Sequence, residues 1–176
     1  MKLSPLVRIS VRYGAIGAGL AILLIIVMFY MGRHPLMIAP FMDFRILLYG
    51  VLMFFALKEF REFHQDGVLY FWQGMVGSFV LVATAGFLSS VLFWIFGTME
   101  TDFVPSYIRA MTDYLKTFSE TDIQRIGKEV YDSNLKQLPS TNIAQLAPLY
   151  LMQSFVIGLF VSIILSVILR KQPKPN

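Results

Sequence analysis

The chain has 176 residues, 56% of them hydrophobic and only 15% charged, where a soluble domain carries about 25% charged residues. A soluble core of this size cannot hide so much apolar surface, because surface-to-volume scaling leaves roughly a third of a small chain exposed, so lipid is its natural solvent. The net charge of +4 sits at the two termini, which points to membrane orientation rather than nucleic acid, and the absence of Cys excludes disulfides, thiolate metal sites and thiol redox chemistry.

Uncharged apolar runs long enough to cross the hydrocarbon core as helices come in chain order. The first, about 13–32, contains no charge and ends in Met31-Gly32-Arg33-His34-Pro35. It is longer than the apolar region of a cleaved signal peptide and lacks the small-x-small cleavage site, so it reads as a retained helix. The second is the weakest. Its charge-free stretch covers Ile46 to Leu57, and extending it to about 39–57 takes in Asp43 and Arg45. Asp43 suits a helix N-terminus, and Arg45 is expected to snorkel to the headgroups as an interfacial anchor. Asp43 and Arg45 could also pair with each other. The third span, about 68–96, lies in an uncharged stretch from Gly67 to Met99 and carries Trp72 and Trp94 near its ends as interfacial anchors. The fourth, about 147–169, precedes Arg170-Lys171, with Pro148 expected in or near its first turn.

Between the third and fourth spans lies a charged insert, about 100–146. Val104, Tyr107, Ile108, Met111, Leu115 and Phe118 recur at helical spacing, and a second set follows in Ile123, Ile126, Val130, Leu135 and Leu138. Ser119-x-x-Asp122 resembles a capping box at the start of that second set. The expectation is an amphipathic helical hairpin whose apolar faces pack on each other or on the membrane, or dock a partner. The fold class is thus all-α: a single polytopic membrane domain, 1–176, with four transmembrane helices and an extracytoplasmic hairpin. Basic residues concentrate at Lys2, Arg8, Arg12, Lys58, Arg61, Arg170, Lys171 and Lys174. The positive-inside rule then places both termini in the cytoplasm and the chain in the cell inner membrane.

The stretch Lys58-Glu59-Phe60-Arg61, followed by Gly67, Phe71 and Gly77, resembles the turn into the third helix of domain-of-unknown-function family 4199. These are uncharacterised four-helix membrane proteins of Bacteroidetes that also carry a charged helical insert before the last helix. His64-Gln65-Asp66 departs from the Asp and double-Gly wording more usual in that turn. The resemblance covers nearly the whole chain, implies a membrane location and supplies no activity. It also implies a genomic neighbour, since such proteins are often encoded beside a glycosyltransferase similar to polyprenol-phosphate mannose synthases.

No constellation of residues points to a reaction. The two histidines, His34 and His64, fall on opposite sides of the bilayer in this topology and read as interfacial surface residues. Zinc-ligand spacing and a phosphate loop are both missing from the sequence. No cofactor, metal or enzymatic activity is expected. Gln73 and Gln153 read as interhelix hydrogen-bonding amides. Packing signals are plainer. Ser154, Gly158, Ser162 and Ser166 recur every four residues, and Gly14 with Ala18, Ala15 with Gly19, and Gly74 with Ser78 form further small-xxx-small pairs. Lys58 and Arg61, three apart, share a helix face that could hold an anionic lipid headgroup or lipid phosphate. The expected partners are membrane lipids and a membrane protein partner or second copy, with no nucleic acid. The leading expectation is a non-enzymatic assembly or accessory subunit. The alternative is a factor handling polyprenyl-phosphate for a membrane glycosyltransferase, and an oligomeric channel or transporter ranks third.

Overall fold

The computed structural model describes residues 4–172, apart from the Pro40 side chain; Lys2 and Lys174 lie outside the described residues. Ser4 starts the first helix, α1 (Pro5–Tyr30), its hydroxyl accepting from the Val7 amide at 3.4 Å. Pro5 follows at a position where a missing N–H costs little. The helix stops where Gly32 adopts φ +77°, with the Gly32 and Arg33 amides returning to the Phe29 and Met28 carbonyls at 3.0 Å each. Two short turns, Pro35–Met37 and Pro40–Met42, lead to α2 (Phe44–His64), which Asp43 caps. Asp66 and Gly67, both with positive φ, reverse the chain into α3 (Phe71–Met99). The insert then contributes α4 (Phe103–Lys116), α5 (Glu120–Ile126) and α6 (Lys128–Gln137), before α7 (Ile143–Ile168) starts at an Asn142 cap.

Helix α3 lies between α1 and α7, and α2 packs against α1 and α7. Three helices are long and apolar enough to cross a membrane: α1, α3 and α7. The 21 residues of α2 give it the length, but Arg45, Lys58, Glu59, Arg61 and Glu62 lower its apolar character. Outward from the helical body, α2 still presents Leu47, Val51 and Phe55, all exposed. Trp72 and Trp94 project from the surface of α3, 61% and 47% exposed, about 33 Å apart along the helix axis at 1.5 Å per residue.

Each long helix runs past its expected span at one end and stops short at the other, α2 starting only at Phe44 because Pro40–Met42 form a short turn and Asp43 is the cap. α1 begins at Pro5, α2 runs on to His64, and α7 begins at Ile143. Pro148 therefore sits just past the first turn of α7, inside the helix. In the insert, the expected second helix is two helices, α5 and α6, broken at Gly127, whose φ of +96° no continuing helix accommodates. Ile126 and Val130, expected on its packed face, are exposed at 45% and 51%. The capping box forms: the Ser119 hydroxyl accepts from the Asp122 amide, and the Asp122 carboxylate accepts from the Ser119 amide.

The small residues are not equivalent. A Cβ on Gly14 would stand 2.7 Å from the Leu81 carbonyl oxygen and from Thr84 Cβ, so α1 and α3 approach through this glycine. The other pair on α1, Ala15 and Gly19, faces outward, and nothing lies within 4 Å of the Gly19 Cβ position. Gly14→Ala is therefore expected to lower stability by about 1–3 kcal/mol through overpacking. Gly19→Ala is expected to raise it by up to about 1 kcal/mol through helix propensity. Thermal unfolding of the two variants in detergent, side by side, checks the opposite signs.

Candidate functional site

The polar centre of the molecule is where α2 meets α7. Asp43 and Arg45 are 7% and 3% exposed. Asp43 reaches this place because it caps α2: its Oδ1 accepts from the Arg45 backbone amide at 2.9 Å. The Arg45 side chain folds back onto the same carboxylate, Nε donating to Oδ1 at 2.9 Å and Nη2 to Oδ2 at 2.6 Å. The remaining guanidinium protons go to α7. Nη1 donates to the Tyr150 carbonyl at 3.1 Å and to Ser154 Oγ at 2.9 Å, and Nη2 donates to Gln153 Oε1 at 3.0 Å. All five N–H donors of the guanidinium thus have an acceptor on the chain itself. Removing a charge from water costs several kcal/mol, and only this degree of pairing offsets it.

Arg45 was expected to snorkel outward as an anchor. The structure corrects this: its side chain turns inward, because the Asp43 carboxylate and three acceptors on α7 solvate it better than a bilayer edge can. Of the two partners open to Asp43 and Arg45, each other or headgroups, each other is the one found.

Aromatic rings link this cluster to the insert. The guanidinium lies over the Tyr150 ring, 4.5 Å from its centroid. Tyr150 stacks on Phe93 at 5.0 Å, Phe93 meets Phe103 of α4 edge-on at 5.2 Å, and Phe103 contacts His34 at 4.7 Å. Phe103 is fully buried, and Tyr107 and Leu115 of the same helix are buried with it against Ile25, Phe93 and Tyr150. The insert is therefore docked through α4 on one end of the long helices. Its far side is held by Tyr131 of α6, which donates to the Leu115 carbonyl at 3.2 Å.

His34 is likewise not a surface residue. It is 9% exposed and lies against Phe103 and Tyr107. Its Nδ1 accepts from the Leu36 amide at 3.3 Å, so the imidazole proton rests on Nε2, which is buried without an acceptor among the described residues. Burial lowers the His34 pKa from its ordinary 6.5 to about 4. When α4 lifts, His34 regains its ordinary pKa and binds a proton first. Docking is therefore fully stable above about pH 6.5 and weakens as pH falls toward 4, by at most about 3 kcal/mol. Hydrogen exchange of α4 at pH 7.5 and pH 5 should show this loss. His34→Asn, which keeps an acceptor for Leu36 and removes the titration, should abolish the pH dependence.

The remaining site residues lie at the opposite end. Arg61 is half-buried and its Nη1 donates to the Leu169 carbonyl at 3.4 Å, close to the C-terminus of α7, while Nη2 reaches Glu62 at 3.4 Å. Lys58, half-buried, forms no ion pair among the described residues. Their neighbour Glu59 joins α2 to α1 by accepting from Arg12 and from the Tyr13 hydroxyl. Leu69 and Lys171 exchange two backbone hydrogen bonds of 2.9 Å, so the α2–α3 turn and the end of α7 share this end with the start of α1. His64 stacks on Phe60 here, separated from His34 by the length of α2.

The small residues lie along the helix interfaces. Ala18, Ser78, Ser154, Ser162 and Ser166 are buried. A Cβ on Gly74 would meet Ser166, and one on Gly158 would meet Val82 at 2.5 Å. Gln153 reaches across to α2, whereas Gln73 accepts from the Tyr70 amide of its own helix start and donates to Gln65. Sequence reasoning missed Tyr49 and Tyr150, whose buried hydroxyls have no partner among the described residues. It also missed that Ser154 is an acceptor for Arg45 as well as a small packing residue. No group of three or more His, Asp or Glu side chains gathers among the described residues.

No curated protein and no solved structure matches the chain. A family model does match, over residues 12–171, which takes in α1 from Arg12 onward, the other three long helices, the insert and the Asp43–Arg45 cluster. The chain belongs to the family described as protein of unknown function (DUF4199).

Proposed function

We propose that this protein is a four-span membrane protein with both termini in the cytoplasm, and that it is a non-enzymatic accessory subunit acting through assembly with another membrane protein. The observation that carries the reading is the complete use of Arg45 by its own chain. A charge inside a membrane protein is a default candidate for transport or catalysis. Here each of its donors faces a fixed acceptor, as in a clip that holds α2 to α7. That clip also supports α2 as the fourth span: its one charge at depth is neutralised, its outward face is apolar, and 21 residues cover about 30 Å. The insert, docked through Phe103, Tyr107 and Leu115, provides a folded platform at the other end from the basic residues.

Orientation follows from those basic residues. Arg8, Arg12, Lys58, Arg61, Arg170 and Lys171 belong to the end of the molecule that holds the α2–α3 turn, and the positive-inside rule assigns it to the cytoplasm. The insert has seven acidic and five basic residues, which fits the outer side of an inner membrane. The test is native mass spectrometry after gentle detergent extraction from the source membrane. A stoichiometric protein partner supports the accessory reading. A chain that elutes alone and turns over a substrate refutes it.

A second reading has its own observation. Lys58 is unpaired among the described residues at the basic end, and Arg61 is only half-buried. On this reading the two hold an anionic lipid or polyprenyl-phosphate for a neighbouring glycosyltransferase. Binding to vesicles containing a polyprenyl-phosphate should fall at least several-fold in the Lys58→Ala, Arg61→Ala double variant. Unchanged binding removes both residues from the mechanism.

A further inference from the structure

We propose that a cavity beside the Asp43–Arg45 pair is a site for the tip of a membrane amphiphile's headgroup, and that it takes the hydroxyls of a glycerol or sugar tip rather than a phosphate or an ammonium. The cavity, of about 190 Å³, lies between the segment preceding α2 and the middle of α7. Its walls join Ile38, Met152, Val156 and Ile157 to the polar edge formed by Asp43, Arg45 and Gln153. Met152 and Val156 are 63% and 52% exposed on the outer surface of α7, so the cavity opens sideways toward the lipid rather than along the helix axes.

The donors and acceptors at its edge decide the ligand. Arg45 has none to offer, since all five of its N–H groups are taken within the chain. A phosphate entering here would meet no unpaired cation. Asp43 is neutralised by Arg45 and accepts from the Arg45 amide as well, so an ammonium would compete with a guanidinium already in place. Gln153 differs. Its Oε1 accepts one bond from Arg45 and keeps a second lone pair, and its amide nitrogen donates to no described residue. A group that accepts from that nitrogen and donates to the adjacent oxygen completes the cluster, and a hydroxyl does both. The volume takes a glycerol- or sugar-sized tip, leaving acyl chains along Met152 and Val156 in the lipid. Two sources carry this chemistry: a neutral lipid such as a diacylglycerol or glycosyl diacylglycerol, and the glycerol end of phosphatidylglycerol.

The site rests on α2 and α7 facing lipid, and incorporation of the wild type into nanodiscs is read separately so that failure of that reading is told apart from failure of the site. The experiment is native mass spectrometry of the full chain released from nanodiscs containing equal parts phosphatidylethanolamine, phosphatidylglycerol and a glycosyl diacylglycerol. The wild type is expected to retain one hydroxylated lipid, and which of the two it retains names the source. Val156→Trp, which places an indole in the cavity from the lipid side, should lower retention at least tenfold. Val167→Trp, also exposed on α7 but away from the cavity, should not. Gln153→Glu keeps the acceptor for Arg45 and removes the amide donor, and should lose the preference for hydroxylated lipid. Retention of phosphatidylethanolamine, retention of no lipid, equal retention by the two Trp variants, or an unchanged preference in Gln153→Glu each overturns the proposal.

Discussion

Replacing Asp43 with Ala is expected to destabilise the protein by about 3–5 kcal/mol, the cost of stranding a buried charge without its counter-ion. Arg45 is 3% exposed and takes two of its donors' acceptors from this carboxylate alone. The Arg45 head cannot escape to solvent without breaking its bonds to Tyr150, Gln153 and Ser154, so α2 would separate from α7. Part of the loss, about 1 kcal/mol, comes from the helix cap. A double variant, Asp43→Asn with Arg45→Met, keeps the cap and removes both charges. Buried ion pairs are often replaceable by apolar groups at little cost, so the double variant should recover most of the stability. Thermal unfolding in detergent of the single and double variants measures this. A single variant that melts with the wild type would mean that Arg45 has another counter-charge and that the clip is not what joins the two helices.

The second large effect is expected at Phe103. Its ring is fully buried and lies within 5.3 Å of the Phe29, Phe93, Phe96 and His34 rings, centroid to centroid. Phe103→Ala should cost about 3–5 kcal/mol in lost burial and cavity formation. The loss should fall on the insert, because α1, α3 and α7 keep their own contacts below it. Hydrogen exchange should rise across α4, α5 and α6 and stay low in the lower halves of α1 and α3. Equal rises throughout would show that the insert and the long helices fold as one unit.

What could be read in the sequence follows from where each partner lies. The three most apolar helices announce themselves as uncharged runs, and the capping box at Ser119 is local chemistry within four residues. Helix ends are harder, since α2 continues through Lys58 to His64 with charges that an apolar run excludes by definition. Arg45 stood at the edge of such a run, and its position alone suggested a headgroup contact. Its acceptors on α7 are 105 to 109 residues away, and nothing near it in sequence reveals them. His34 is similar: a polar residue before a proline looks exposed until Phe103 and Tyr107 of α4 cover it. Gly127 was visible, but Ile123, Ile126 and Val130 keep helical spacing across it, and the positive φ appears only in the backbone. Small-xxx-small spacing could not tell Gly14, which meets α3, from Gly19, which faces outward.

A four-span arrangement requires α2 to cross the membrane, and the chain's lack of Cys makes a direct test clean. Single cysteines at Phe41 and Phe63, 81% and 77% exposed just before α2 and near its end, can be labelled with an impermeant maleimide on intact cells whose outer barrier has been opened. The prediction is labelling of Phe41→Cys from outside, and labelling of Phe63→Cys only after the inner membrane is permeabilised. Labelling of both from the same side would show that α2 does not span the bilayer, and would contradict the four-span arrangement together with the orientation drawn from it.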